Sequence, residues 1–496
     1  MRRAPLLAVA AALVLAAASL ALPYFPVYDP WAWLVWGREL MGGSLETAAG
    51  PSWKPLPVLI NAPLSLLGDA APKAWLLVAR TGWFCAPLLA GLLAWRLSGE
   101  GAGRWRWVAA AVAGASVALT GDAFTPPLRQ FTGGLSEPLL VALLLGAVSA
   151  ALDERPGVAL ALGTAAALLR PETWPFLALF AFFSVKDRPR LRIAAIAAAV
   201  LIPVAWFVPD LIGAGTPIEG PSTARAGGIE PIDAIEVLGR TLAAPLAAAW
   251  IGVALLLWTG RSGIGRRPIV DGSADRESDP TALDGPLTIL LAGASAWILL
   301  VGLMAIGGFA GLPRFLAPAT AVIAIVGAVG IARAGASLPA ALETGRAPRL
   351  YRYATQTRGA LVFTALVLAL AGSGWRAAQV PGDLEVVERQ RASLEDLFDL
   401  VNETGSARLL ACGGAVKMTQ VRPQTALAWK LDEPIGSTPV RRKPRYGIAL
   451  STKPLPGGVV IAEAGRWRAT RLPCPSGYSA ASASGWAIAG VSGAAR

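Results

Sequence analysis

The chain has 496 residues, 54% of them hydrophobic and only 15% charged, and it contains no histidine. Apolar runs recur through its first three quarters, the composition of a polytopic membrane protein. The missing histidine excludes Ser-His-Asp triads and His-ligated metal sites. The net charge of +12 sits on Arg and Lys in short loops between apolar runs, where positive-inside sorting accounts for it without a nucleic-acid partner.

In chain order, "MRRAPLLAVAAALVLAAASLALPYF" has the basic start and apolar stretch of a signal peptide, but its length and the spans that follow make it an uncleaved first span. Next comes "YDPWAWLVWGREL", predicted as a helix with Asp29 at the N-cap and Pro30 in the favoured first helical position. On that helix Asp29, Trp33, Trp36 and Leu40 share one face. The run 55–68 is short and proline-rich, an interfacial or re-entrant piece. Segments long enough, or nearly so, to cross a bilayer fall at about 4–23, 73–97, 105–121, 134–152, 156–170, 171–185, 190–210, 237–259, 286–308, 313–334 and 358–376. These predict an all-α polytopic membrane domain of about eleven helices over residues 1–376, with the pair at 156–185 short and broken by "RPE".

Loop charge predicts the orientation. With the N-terminus inside, "MRR", "WRLSGEGAGRWRW", "KDRPRLR", "RSGIGRRP" and "RAPRLYRYATQTR" all lie in the cytoplasm. Residues 24–72, 121–133, 211–236 and everything after 376 then lie outside a multi-pass cell-membrane protein. Residues 262–285 are polar and lack periodicity, as expected of a flexible cytoplasmic loop. The tail, 377–496, predicts a small extracytoplasmic α/β domain. In it "DLEVVERQRASLEDLFDLVNE" has helical spacing, and "ARLLACGG", "QTALAWKL", "YGIALS" and "GGVVIAEAGRWRATRL" read as short strands. Cys412 and Cys474 lie there, as a disulfide that an exported location permits or as two buried thiols. Cys85 lies in a span as a packing residue, and three cysteines are too few for a thiolate metal cluster.

A capped juxtamembrane helix with interfacial tryptophans accounts for all of "YDPWAWLVWGREL". A site for chemistry accounts for it as well, given its company: Lys54 in "GPSWKPLPVLI", Glu137 in "GGLSEPLL", Arg170 and Glu172 in "ALLRPETWPFL", and Arg314 in "GLPRFLAPATA". Singly, each has a structural reading: Ser136 and Glu137 can cap a helix, Arg170 and Glu172 can pair across a kink, and Arg314 can snorkel. Jointly they bring charges of both signs to the outer half of the bundle, where the outer leaflet would deliver a lipid phosphate. Ionisable groups are costly to keep at that depth, which makes them candidates for function.

A first span, an acidic residue early in the first external loop, then "KPLP", "SEP", "RPE" and "RF-L-P" resemble the GT-C superfamily of integral-membrane glycosyltransferases, in particular aminoarabinose transferases, protein O-mannosyltransferases and their actinobacterial relatives. The resemblance covers residues 1–335. It implies inverting transfer of a sugar from a polyprenyl-phosphate donor to a glycan, lipid or protein acceptor at the membrane. In that reading Asp29 is the general base. Lys54, Arg170 and Arg314 hold the donor phosphate, and Trp31, Trp33, Trp36 and Trp53 offer faces for sugar stacking. Glu137 and Glu172 bind substrate or orient the arginines. Two departures stand out. Asp29 is a single acidic residue where several relatives show a pair, and no histidine accompanies "KPLP", so neither a metal nor any other cofactor is expected. Two other readings use the same features: a transporter or flippase of a lipid-linked sugar, and a membrane-anchored glycan-binding or assembly protein.

Overall fold

The computed structural model describes residues 3–119, 127–186, 188–226, 247–262, 284–338 and 349–474, together with 233, 235–236, 238–239 and 242. Its helices are α1 (Ala4–Ser19), α2 (Tyr28–Gly42), α3 (Pro55–Ser65), α4 (Ala71–Leu97), α5 (Trp105–Leu119), α6 (Pro127–Gly133), α7 (Glu137–Leu152), α8 (Pro156–Ala167), α9 (Trp174–Ser184), α10 (Pro189–Ala214), α11 (Glu219–Ala226), α12 (Ala247–Ser262), α13 (Gly285–Ile306), α14 (Ala317–Ala336), α15 (Arg349–Thr404), α16 (Ser406–Leu410) and α17 (Gln424–Leu431). Proline stands in the first turn of α1, α3, α7, α8, α10 and α13. Its missing N–H is no loss there, so these helix starts are written locally in the sequence.

Each of the eleven apolar segments holds a helix. Among the described residues, five helical stretches are long and apolar enough to cross a membrane (68–97, 189–214, 285–306, 313–336 and 356–404), or six if the pair α6–α7, bent by 98°, is one span. The remaining apolar helices, among them 4–19, 105–119 and 156–167, are shorter. The expected cytoplasmic loop at 262–285 lies, from 263 to 283, outside the described residues. Helix α14 is the centre of the bundle, buried along nearly its whole length. Its Ile325, Val326 and Val329 pack with Leu89 and Leu93 of α4 and Val253 and Leu256 of α12. A second cluster joins Leu140 of α7, Leu169, Trp297 of α13, and Leu316 and Ile323.

The tail differs from its predicted strands in two places. "QTALAWKL" is the helix α17, and "ARLLACGG" is the short α16 followed by a turn. Both stretches are rich in Ala and Leu, good helix formers, and tertiary contact decides the outcome: Ala426, Leu427, Ala428 and Leu431 of α17 are all buried. The strands are β1 (Val416–Met418), β2 (Ile448–Ser451), β3 (Val459–Ala464) and β4 (Trp467–Arg471), in the order β1-β2-β4-β3. The β1–β2 pair is parallel and the other two pairs are antiparallel. Leu397, Leu400 and Val401 of α15 pack on Val416, Met418, Ile448, Leu450 and Trp467 of the sheet. The position 376/377 falls inside α15, one continuous helix that runs from an apolar stretch into the core of the sheet unit. Cys412 and Cys474 form a disulfide with Cα atoms 5.6 Å apart, and Cys85 is a buried thiol packed in α4.

Candidate active site

Helix α2 begins at Tyr28 with Val27 as its N-cap, so Asp29 lies inside the first turn and does not cap the helix. This corrects the expected capping role. Pro30 accordingly sits two steps beyond the first helical position, and the extended backbone of Val27 makes the entry. Asp29 still gains from the amide dipoles of the helix start. Helices α2 and α3 cross in close contact because residue 37 is glycine: a Cβ there would stand 2.7 Å from the backbone carbon of Asn61. That close crossing holds the start of α3 beside α2.

The cations share a local grammar. Lys54 and Arg170 each precede a proline and are extended, with φ/ψ of −139/114° and −148/125°. Clash with the proline ring disfavours the helical region for such a residue. Each therefore ends its loop in a straight step before a helical turn, the start of α3 in one case and Pro171–Thr173 in the other. Arg314 lies in a single tight turn, Pro313–Leu316, that leads into α14. Glu137 opens α7 after the sharp bend from α6. Gly134 makes that bend at φ +68°, a conformation other residues rarely adopt, while its carbonyl accepts from the Trp75 indole at 3.0 Å.

These five loops and turns bring every charged candidate into one cluster. Glu137 Oε1 lies 3.2 Å from Arg170 Nη2, 3.5 Å from Arg314 Nε and 3.9 Å from Lys54 Nζ. Arg314 Nη2 lies 3.6 Å from Asp29 Oδ2, and Arg170 Nη1 lies 3.5 Å from Glu172 Oε1. Glu137 and Glu172 are almost fully buried, whereas the Asp29 and Arg314 side chains keep 18% and 20% exposure. The deep carboxylates therefore anchor the cations, and the Asp29–Arg314 pair is the more exposed part of the cluster. Glu137 Oε2 and Glu172 Oε2 have no hydrogen-bond partner among the described residues. Among those residues no group of three or more His, Cys, Asp or Glu side chains comes together to hold a metal ion.

The tryptophans have a different place from the one expected. Trp31, Trp33, Trp36 and Trp53 are all at most 4% exposed. Trp36 and Trp53 pack against each other at 5.5 Å with their rings tilted by 48°, and their indole N–H groups donate to the carbonyls of Glu46 and Ala205. Trp33 packs edge-on to Trp75 at 5.2 Å and lies under Lys54 Nζ at 5.1 Å. Trp31 meets Phe398 of α15 edge-on at 5.8 Å. Their faces are already covered by protein, so they build the wall of the site. The large apolar area of an indole favours that burial over an open stacking platform.

Two elements of the site had little sequence signal. Phe315 carries Arg170 against its ring at 3.7 Å, with Arg314 at 5.8 Å, so it positions both guanidiniums. Only its place in "PRFL" hinted at this. The other element is α17, which docks on α2. Thr425 Oγ1 donates to the Tyr28 carbonyl at 2.8 Å, and the Tyr28 hydroxyl donates to Gln424 Oε1 at 3.1 Å. Burial, with the nearby Asp29 charge, pushes the Tyr28 phenol up to about 12 and keeps it a donor.

Comparison with protein-family models and with curated proteins finds no match. Among solved structures the chain is similar to ArnT from Cupriavidus metallidurans. The form bound to undecaprenyl phosphate aligns at TM-score 0.51 with 16% identity, over 94% of this chain and 97% of that one. The apo form aligns at TM-score 0.52 with the same identity and coverage. An Archaeoglobus fulgidus oligosaccharyltransferase aligns over 75% of this chain at TM-score 0.35, too low to carry the fold. The fold of this chain thus resembles that of ArnT along nearly its whole length, including the tail that the sequence motifs did not reach.

Proposed function

We propose that this protein transfers a sugar from a polyprenyl-phosphate donor to an acceptor hydroxyl on the extracytoplasmic side of the membrane, with inversion at the anomeric carbon. The observation that carries the reading is the convergence of Lys54, Arg170 and Arg314 on Glu137, with Asp29 on the exposed flank of Arg314. An ArnT structure with the same fold binds undecaprenyl phosphate, which supports the donor class. In the reaction an Asp29 oxygen takes the proton of the acceptor hydroxyl as its oxygen attacks the anomeric carbon. The bond from that carbon to the phosphate oxygen breaks, and the electron pair leaves on the phosphate. Arg314 and Lys54 stabilise that added charge, and they need little reorganisation because Glu137 already holds them. Arg170, held by both buried carboxylates and against Phe315, keeps the cluster in register. In this reading the N-terminus is cytoplasmic and the sheet unit lies outside, over the site. The test is incubation of purified protein with labelled polyprenyl-phosphate sugars. Release of polyprenyl phosphate that depends on acceptor supports the reading, and movement of intact donor across a vesicle membrane without release would replace it with a transporter.

A further inference from the structure

A cavity of about 460 Å³ opens between α15 and the sheet unit, away from the buried carboxylates. Its volume lies within the ~300–1,000 Å³ of sites for small ligands. Arg389, Arg422 and Arg466 line it, and no carboxylate is among the lining residues. Glu385 reaches Arg389 at 3.5 Å, but both are exposed on one helix face, a pair that water screens strongly. Asp396 accepts from the backbone N–H of Arg466 at 3.3 Å, and among the described residues it makes no ion pair with the Arg466 guanidinium. Three arginines from three separate elements therefore meet around one space with a net positive charge.

The rest of the lining suits a ring-shaped polar molecule. Gln390 and Gln420 supply amide donors and acceptors, and Phe25 supplies an apolar face. The walls are fixed by the fold. The Trp467 indole donates to the Ser393 carbonyl at 2.7 Å, tying β4 to α15. Phe25 is pinned through its own N–H to the Thr132 carbonyl at 3.1 Å. Phe25 stands four residues before Asp29, so the cavity wall and the candidate base share one strand of chain.

We propose that this cavity binds an anionic saccharide, a sugar carrying carboxylate or phosphate groups, as the acceptor side of the transfer. Guanidiniums recognise such oxyanions through paired, charge-assisted hydrogen bonds. The acceptor assignment rests on the proposed transfer, whereas the binding itself does not.

The test uses the full-length protein in detergent, with saturation-transfer NMR titrations of trigalacturonate, glucose 6-phosphate and neutral maltotriose. Trigalacturonate and glucose 6-phosphate should bind and maltotriose should bind at least tenfold more weakly. Arg422→Gln combined with Arg466→Gln should weaken both anionic sugars tenfold or more, through lost charged hydrogen bonds. Asp29→Asn should bind them as the native protein does, so loss of the transfer reading would leave this result standing. Unchanged binding in the double variant, or maltotriose bound as tightly as trigalacturonate, would overturn the proposal. So would loss in Lys54→Gln alone, which would move the sugar to the donor cluster. Glycerol 1-phosphate bound as tightly as glucose 6-phosphate would overturn the saccharide assignment in favour of a lipid headgroup.

Discussion

Arg314 stands between two carboxylates of unequal depth: its Nη2 lies 3.6 Å from Asp29, partly open to solvent, and its Nε lies 3.5 Å from Glu137, which is buried. The two contacts divide the labour of the site. Glu137 fixes the guanidinium in the buried part of the cluster, and in the proposed reaction Asp29 is the contact that opens to a substrate. Asp29→Asn tests the outer contact. Because Asp29 is not the cap of α2, asparagine forfeits only a dipole interaction and a part-exposed ion pair, each about 0.3–1 kcal/mol. Thermal stability should stay within a few degrees. Transfer should fall by roughly a hundredfold or more, since the amide cannot take a proton at neutral pH. Full activity of the asparagine variant, measured as polyprenyl phosphate released, would move the search for the base elsewhere.

Lys54 carries a pH signature. Burial pushes its ammonium down to about 8; Glu137 and Asp29 oppose that fall, and Arg170 and Arg314 add to it. The protonated form is the one that attracts a phosphate, so donor affinity should be steady at pH 7 and drop as pH rises through about 8. Lys54→Arg should remove that drop, because a guanidinium keeps its charge. Lys54→Gln and Arg314→Gln should each weaken the donor by about ten- to a hundredfold, equivalent to about 1.5–3 kcal/mol for a lost charged hydrogen bond. Equilibrium binding of labelled undecaprenyl phosphate between pH 6.5 and 9.5 reads all three. A flat profile for the native protein would take Lys54 out of phosphate binding.

Glu137→Gln should behave differently from either. It leaves Lys54, Arg170 and Arg314 facing one another around a neutral amide, and breaking such a buried ion cluster costs about 3–5 kcal/mol. Among the described residues Glu172 pairs with one cation, so Glu172→Gln should cost markedly less. The measurement is detergent melting of both variants beside the native protein. Equal melting of Glu137→Gln and the native protein would mean that the cluster does not depend on its central carboxylate.

The charged half of this site was legible in the sequence because its grammar is local. "WKPLP", "LRPE" and "LPRF" each tie a cation to a proline, and the apolar runs on either side show that the charge is held at an edge of the bundle. The eleven apolar segments were legible for the same reason, as uninterrupted runs that became helices. What the sequence left hidden depends on contacts across long distances. Nothing in "YDPWAWLVWGREL" says whether an indole faces a sugar or a neighbouring indole; that is decided by Trp53 and Trp75 arriving from other segments. "QTALAWKL" has no period that separates strand from helix over eight residues, and α2 settles it by offering a surface on which a helix packs. Length alone counts five or six crossings among the described residues, because the bend at Gly134 breaks the α6–α7 pair and helices α1, α5 and α8 are shorter than a full span.

The docking of α17 on α2 supplies the last prediction, since it ties the sheet unit to the helix that carries Asp29. Arg38 of α2 makes three contacts there: its guanidinium donates to the Trp429 carbonyl at 3.2 Å and the Glu433 carbonyl at 2.9 Å, and pairs with Asp432 at 2.7 Å. The ion pair is the shortest of the three and should matter least. Asp432 is 83% exposed, and such a pair contributes about 0–1 kcal/mol. The carbonyl contacts are part-buried hydrogen bonds from a charged donor, about 1.5–3 kcal/mol each before any compensation by water. Arg38 also covers the Trp429 ring at 5.2 Å. Arg38→Ala should therefore raise amide hydrogen exchange across 424–433 and slow transfer several-fold while donor binding stays unchanged, whereas Asp432→Ala should do neither. The reverse ranking would show that surface charge, and not the carbonyl clamp, holds the sheet unit over the site. Equal and unchanged exchange in both variants would show instead that Thr425, Tyr28 and the Trp31–Phe398 contact hold α17 in place without Arg38.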